Sequence, residues 1–369
     1  MDNATTTGGS RHKGGAVSTE AAGWRRLFMS GPVPAPVIAP AAMIMGLGLI
    51  MLIFQPNFFA MGNLKAVLLD ASIVGILAVG MTVVITTKGI DLSIGGILIF
   101  SSVVMSAVIK DFGAPAIVGM AAALVAGSMA GLVNGLMIEK VGIPAFIATL
   151  SSELVWRGIA LLYAGGAVFY AFPEIIVWIG SGRILGQIPV PIVLMLGTFL
   201  VAHIVWTYRR YGLRVHSVGG DEESARRMGI DVGRYRIGAY TLMGALAGFA
   251  GIVMTGRLDA VVASGAVEIL LLTIAAVLVG GTDLFGGRGS MIGSLLGAIL
   301  LAMIFNAVIL LGFDSFWQFI MAGIVILVTI AMHSTADKRR ARRAAKAATK
   351  QRLAEEDVPV PAARPTASV

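Results

Sequence analysis

The chain has 369 residues, 57% of them hydrophobic and only 13% charged, which is too apolar for an ordinary soluble domain. Cysteine is absent, so disulfides, thiolate metal sites and a cysteine nucleophile are excluded, and the four histidines (His12, His203, His216, His333) are scattered and form no imidazole-rich motif; no metal is expected. The net charge of +8 invites a nucleic-acid partner, but the cations punctuate apolar runs instead of forming one basic face, and no nucleic acid is expected.

Residues 1–30 are polar and lack the early apolar core of a cleaved signal peptide, so a disordered leader is expected there. A transmembrane domain is expected over 31–336, followed by a basic tail over 337–369. Ten apolar segments lie in that domain, at about 37–54, 64–85, 94–109, 116–138, 146–163, 192–208, 237–255, 269–279, 291–311 and 316–333. Most approach the roughly 18–20 residues that cross a bilayer as helix. The segment at 269–279 is too short to span alone, and must extend into its flanks or be a broken helix. Pro40 falls in the first turn of the first segment, where it costs little. The composition predicts an all-α polytopic membrane protein of about ten transmembrane helices.

An even number of spans puts both termini on one side. The stretch 209–236 between segments six and seven carries Arg209, Arg210, Arg214, Arg226, Arg227, Arg234 and Arg236, whereas the connection 164–191 carries Arg183 alone. Short loops rich in arginine stay in the cytoplasm, so this stretch and both termini are assigned there. Segments two to five and seven to ten then run in opposite senses, a pattern that suits an inverted repeat. The similar stretches IDLSIGG and TDLFGG do not occupy equivalent places in the two blocks, so the sequence itself supports the repeat only weakly.

Three glycines, Gly127, Gly131 and Gly135, form a small-residue ridge on segment four, and Gly244–Gly248 and Gly293–Gly297 repeat its spacing. These are packing surfaces. The polar residues inside the apolar body are the candidates for a translocation path or gate: Asp91 and Ser93 in GIDLSIGG, Asn134, Glu153 and Arg157, Asp283 in GGTDLFGGRGS, and Asn306. Asp91 or Ser93 could equally cap the helix that follows. Glu153 and Arg157 share a helix face and would form an ion pair. The glycines around Asp283 are no phosphate cradle, because G-x-x-x-x-G-K-[ST] is absent and no strand precedes them. The chain has no motor of its own: either a partner or a coupled ion must supply the energy of uphill transport. An intramembrane enzyme using Asp91 and Asp283 is a third reading.

The stretches TTKGIDLSIGGILIFSSVVMSAVI, GLVNGLMIEKVGIPAFIATLSSELVWRGIALLY, VGGDEESARRMGID and AAVLVGGTDLFGGRGSMIGSLLGAIL resemble the permease subunit of ribose/xylose/galactose-type ABC importers, from about Asn57 to Ala331. Branched-chain amino acid permeases share the plan but match GIDLS and PAFIATL less well, and solutes such as those amino acids or nucleosides remain alternatives. The resemblance implies a type II permease, like the vitamin-B12 importer. It implies a homodimer in the bacterial inner membrane, with cassette ATPase subunits that use ATP and magnesium, a periplasmic sugar-binding protein, and no cofactor held by the permease. It also implies an ATPase-coupling loop between helices six and seven, carrying Gly219, Gly220, Asp221, Glu222, Glu223, Ala225, Arg226 and Gly229. A short helix at Glu222–Met228 would have acidic residues in its first turn and arginines in its last, as the helix dipole favours. The same stretch would also suit an amphipathic turn held at lipid headgroups. Lys88 and Asp283 depart from the family pattern, which has glycine and serine there.

Overall fold

The computed structural model describes residues 35–263, 266, 268–314, 316–318, 320–325, 327–328 and 331. The leader, the basic tail and the end of the tenth apolar segment lie outside the described residues. Helix α1 spans Ala35–Phe54, and a short 3-10 turn at Pro56–Phe59 leads into α2, Met61–Thr86. Pro40 lies inside α1, beyond its first turn, because the helix begins earlier than the apolar run suggests. Then come α3 (Ile94–Lys110), α4 (Ala116–Leu136, prolonged by a π turn to Val141) and α5 (Ala145–Ala164). Next are α6 (Glu174–Ser181), α7 (Val190–Tyr208), α8 (Arg210–Gly220) and α9 (Glu222–Arg227). The described part closes with α10 (Val232–Leu258), α11 (Ile269–Val279), α12 (Met291–Leu310) and a short apolar helix at Phe316–Val325.

Seven of these helices are long and apolar enough to cross a bilayer: α1, α2, α4 with its π turn, α5, α7, α10 and α12. The expected ten-span count is therefore met by length only in part, since α3, α11 and the helix at Phe316–Val325 are shorter. Helix α3 follows the non-helical stretch Thr87–Ser93, and α10 ends at Leu258 in a turn and the short strand Ala260–Val262 ahead of α11. Such backbone is tolerated at membrane depth only where protein covers it. The body is also not purely helical. In the connections at one end, β1 (Val168–Tyr170) pairs antiparallel with β4 (Ala260–Val262), and β2 (Arg183–Ile184) with β3 (Ile188–Pro189). Neither ladder was expected, because three-residue and two-residue strands leave no periodic signal in an apolar sequence.

Helix α2 is the axis of the packing and is buried almost continuously from Ala71 to Thr86. It touches α7, α10, α11 and α12. The glycine ridge of α4 lies against α10: a Cβ at Gly127, Gly131 or Gly135 would overlap backbone atoms of Gly244, Tyr240 or Ile237. Gly293 and Gly297 of α12 meet Gly280 and Ala276 in the same way. Such close approach gains dispersion contacts where lipid supplies no hydrophobic drive. Helix α4 packs on α10 as α12 packs on α2, α3 on α4 as α11 on α12, and α3 on α10 as α11 on α2.

Candidate functional site

Two polar assemblies stand out from this apolar body. The first surrounds the break before α3. Ser93 donates from both its amide and its hydroxyl to Asp91 Oδ1, at 2.9 and 2.5 Å. Asn134 Nδ2 donates to Ser93 Oγ at 2.7 Å, and Ser152 Oγ donates to Asn134 Oδ1 at 2.5 Å. Tyr240 Oη donates to the Ile90 carbonyl at 3.2 Å, and Thr149 Oγ1 lies 3.4 Å from it. Two sets of hydrogen bonds thus tie the break to α4, α5 and α10. All the side chains in them are buried, and Asp91 Oδ2 has no partner among the described residues.

The α3 N-terminus is capped from elsewhere. Neither Asp91 nor Ser93 makes a capping bond to α3; the Gly96 amide donates instead to Glu153 Oε2 of α5, at 2.5 Å. The other Glu153 oxygen receives Arg157 Nε at 3.0 Å and Nη2 at 2.5 Å. The expected ion pair is therefore present, with the added task of closing the end of a short helix. Gly95 and Gly96 are required here, because a Cβ on Gly96 would crowd the Glu153 carbonyl and carboxyl. Two other path candidates lie elsewhere. Asn306 exchanges reciprocal hydrogen bonds with Asn63 at 2.8 and 2.9 Å. Asp283 accepts from the Phe285 amide at 3.0 Å, which shapes its own turn.

The second assembly is the stretch 209–236, which is no loop. It folds into α8 and α9, and its last residues already belong to α10, whose Asp231 cap accepts from the Arg234 amide at 3.1 Å. The expected short helix ends at Arg227, one residue early. Asp221 caps it, accepting from the Glu223 and Ser224 amides at 3.0 and 3.2 Å and from Ser224 Oγ at 2.7 Å. The Ser224 hydroxyl in particular holds the Asp221 carboxyl below the usual carboxylate range. Glu222 is likewise held low, first by Arg226 and then by Arg236. Arg226 reaches Glu222 at 2.9 Å and Glu139 at 3.6 Å, and Arg236 reaches Glu139 at 2.7 Å and Glu222 at 2.9 Å. These four charges join α9, the π turn and α10.

That network divides the expected coupling residues. Ala225 is buried against Val218 and Val232, and Gly219 is pressed on the Thr86 carbonyl, so both face inward. Gly220, Asp221, Glu223, Arg226 and Gly229 are exposed, together with Met228 and, on α8, Leu213. Lys88 adopts a left-handed φ of 62°, a conformation suited to glycine, and its Nζ donates to the Gly220 carbonyl at 3.3 Å. The Gly287 amide also bonds Thr86 O, at 2.9 Å, so the glycine loop, the α8 end and the stretch leading to Asp91 form one junction. Ser152, Thr149, Tyr240 and Glu139 were not singled out in the sequence; one carboxylate at a span end or one hydroxyl in an apolar run carries no pattern.

Residues 63–330 match the family model described as branched-chain amino acid transport system, permease component. The ribose import permease protein of Escherichia coli strain K12 is 38% identical over 75% of this chain and 87% of its own length. The chain belongs to this permease family. The ribose import permease protein of Bacillus subtilis is 35% identical over 77% of this chain and 88% of its own, and the fructose import permease protein of Rhizobium meliloti is 30% identical over 82% and 85%. No solved structure matches the chain. Membership and the seven long apolar helices make it a multi-pass membrane permease.

Proposed function

We propose that the chain is the membrane-spanning subunit of an ATP-driven importer and carries a monosaccharide or related polyol. The carrying observation is the extended similarity to ribose and fructose import permeases, spanning three quarters or more of both partners. Two copies would form the path, with the short helices counted as spans to give ten in the type II plan and both termini in the cytoplasm. The paired adjacencies of α2–α4 and α10–α12 support an inverted repeat. Cassette ATPase subunits would dock on the exposed α8–α9 surface and a solute-binding protein on the opposite face, the path candidates shifting as the copies rock.

The test is reconstitution with the cassette ATPase and binding protein. Uptake of a monosaccharide should require ATP, and Met228→Asp should lower ATPase co-purification without affecting insertion. Glu222 and Arg226 are poorer probes, because their reversal would also break the network with Glu139 and Arg236. Uptake that survives ATP depletion but collapses with an uncoupler would establish an ion-coupled carrier instead.

A further inference from the structure

We infer that the groove between α7 and α10 is a binding site for one anionic phospholipid, with an acyl chain along the groove and the phosphate at Arg209 and Arg210. The groove encloses about 500 Å³, within the range of roughly 300–1,000 Å³ typical of small-molecule sites. Its floor is Val79 and Val83 of α2, and Val201, Val205, Leu246 and Phe249 form its walls. On α7 the lining runs from Val193 to Val205. At about 1.5 Å per residue that is roughly 18 Å, slightly more than one leaflet of a hydrocarbon core about 30 Å thick. The length and the apolar lining match a single acyl chain. A water-filled sugar path would need polar lining, and Thr198, the hydroxyl in mid-groove, already donates to the Leu194 carbonyl at 2.8 Å.

One end is different. Trp206 and Tyr211 close the groove, and Trp206 is committed to the Gly289 carbonyl at 3.1 Å. The Tyr211 hydroxyl has no protein partner among the described residues, which leaves a donor at the depth of a lipid ester or phosphate. Beside it the chain turns between α7 and α8 through Arg209 and Arg210. Both arginines are exposed, and neither has an ion pair or side-chain hydrogen bond among the described residues. By contrast Arg214, Arg226, Arg227 and Arg236 are engaged by tyrosine or glutamate; Arg234, the other exposed arginine of this stretch without such a bond among the described residues, lies on α10 and does not line the groove. Two exposed arginines on the segment between Trp206 and Tyr211, the two residues that close the groove, select a tail with an anionic head.

Gly197 provides a specific probe. It lines the groove, and a Cβ there meets nothing within 4 Å, so Gly197→Leu projects a side chain into the groove from an open position. The full-length permease, purified and stripped of lipid, would be titrated with phosphatidylglycerol and phosphatidylcholine and followed by native mass spectrometry and thermal melting. One phosphatidylglycerol should bind about thirtyfold more tightly than phosphatidylcholine, as two surface cations at about 1 kcal/mol each imply. Arg209→Gln with Arg210→Gln should reduce that preference to about twofold, and Gly197→Leu should abolish retention of either lipid while the lipid-free melt is unchanged or raised. Equal binding of the two lipids by the wild type would overturn the proposal. So would unchanged retention in Gly197→Leu, or conversion of a dimer to monomers by that variant, which would assign the groove to a second copy.

Discussion

The two short helices, α3 and α11, begin in opposite manners. Each follows a non-helical stretch, and each packs against the long helices of the other block. The α3 entry is held by side chains: Asp91, Ser93, Asn134 and Ser152 in series, with Glu153 on the Gly96 amide. Among the described residues ahead of α11 the contact is by backbone: β4 pairs with β1, and the Glu268 N-cap makes no side-chain capping bond. A broken span must satisfy its freed amides and carbonyls within the protein, and one chain does so in two ways. The side-chain solution concentrates polar groups where they can respond to a neighbour. The ladder only closes a gap.

The largest effect expected from breaking this contrast is at Glu153. Glu153→Leu removes the carboxylate that Arg157 and the Gly96 amide share at a half-buried site, and should cost about 2–3 kcal/mol, as loss of hydrogen bonds to a charged group does. Glu268→Ala, at the matching place on α11, should stay within about 0.5 kcal/mol. Thermal melts in detergent, both variants side by side, check the difference. Equal losses would mean that the α3 cap has no special weight.

Asn134→Leu comes next. It removes the link between Ser93 and Ser152 and leaves the buried Ser152 hydroxyl without its acceptor, while Ser93 keeps its bond to Asp91, at about 1–3 kcal/mol. The matching change at the other entry is Phe169→Pro, which sets a proline, with its fixed φ, in the middle of the β1–β4 ladder. Hydrogen exchange should rise in 94–110 for the first variant and in 269–279 for the second; a rise in both regions for either would show that the entries are one cooperative unit.

How much of this was legible in the sequence follows from the same contrast. Long apolar runs place α1, α2, α4, α5, α7, α10 and α12, because spanning a bilayer is a property of composition and length. The Glu153–Arg157 pair was legible because i and i+4 share a helix face. The cap it forms on α3 was not, since Gly96 lies 57 residues away. For Asp91 and Ser93 sequence spacing offers a path role or a local cap, and does not reveal that Ser93 bridges Asp91 to Asn134, because local geometry is all that spacing encodes. The same limit hid Glu139, whose partners Arg226 and Arg236 come from beyond two intervening spans. It also hid the inward face of Ala225.

Two smaller effects concern the junction at the α8 end. Lys88→Gly removes a left-handed side-chain-bearing residue, a strain of order 1 kcal/mol, along with the Nζ bond to Gly220. The melt should therefore shift little, while exchange of the Asp221 amide quickens; a melt lowered by many degrees would mean that the Gly220 bond outweighs the strain. The smallest effect is acid-dependent. The Asp221 carboxyl has its pKa lowered in the folded arm, so its cap is fully present above the unfolded value of about 4 and is lost only as pH falls through the lower folded value. Exchange protection of Ser224 should persist to below pH 4 in the wild type and be weak at every pH in Asp221→Ala.

The glycine seam between α4 and α10 also sets a timetable for biogenesis. Glu139 and Arg236, which close one end of that seam, are 97 residues apart in the chain. At roughly 5–20 residues per second, α4 waits about 5–20 s in the bilayer before α10 has been made. Throughout that interval the bare ridge of Gly127, Gly131 and Gly135 faces lipid or the insertion machinery. The first block is thus a nascent half whose recognition surface is ready before its partner exists, and a ribosome stalled between the two would leave a membrane-bound fragment marked for quality control by its exposed glycine face.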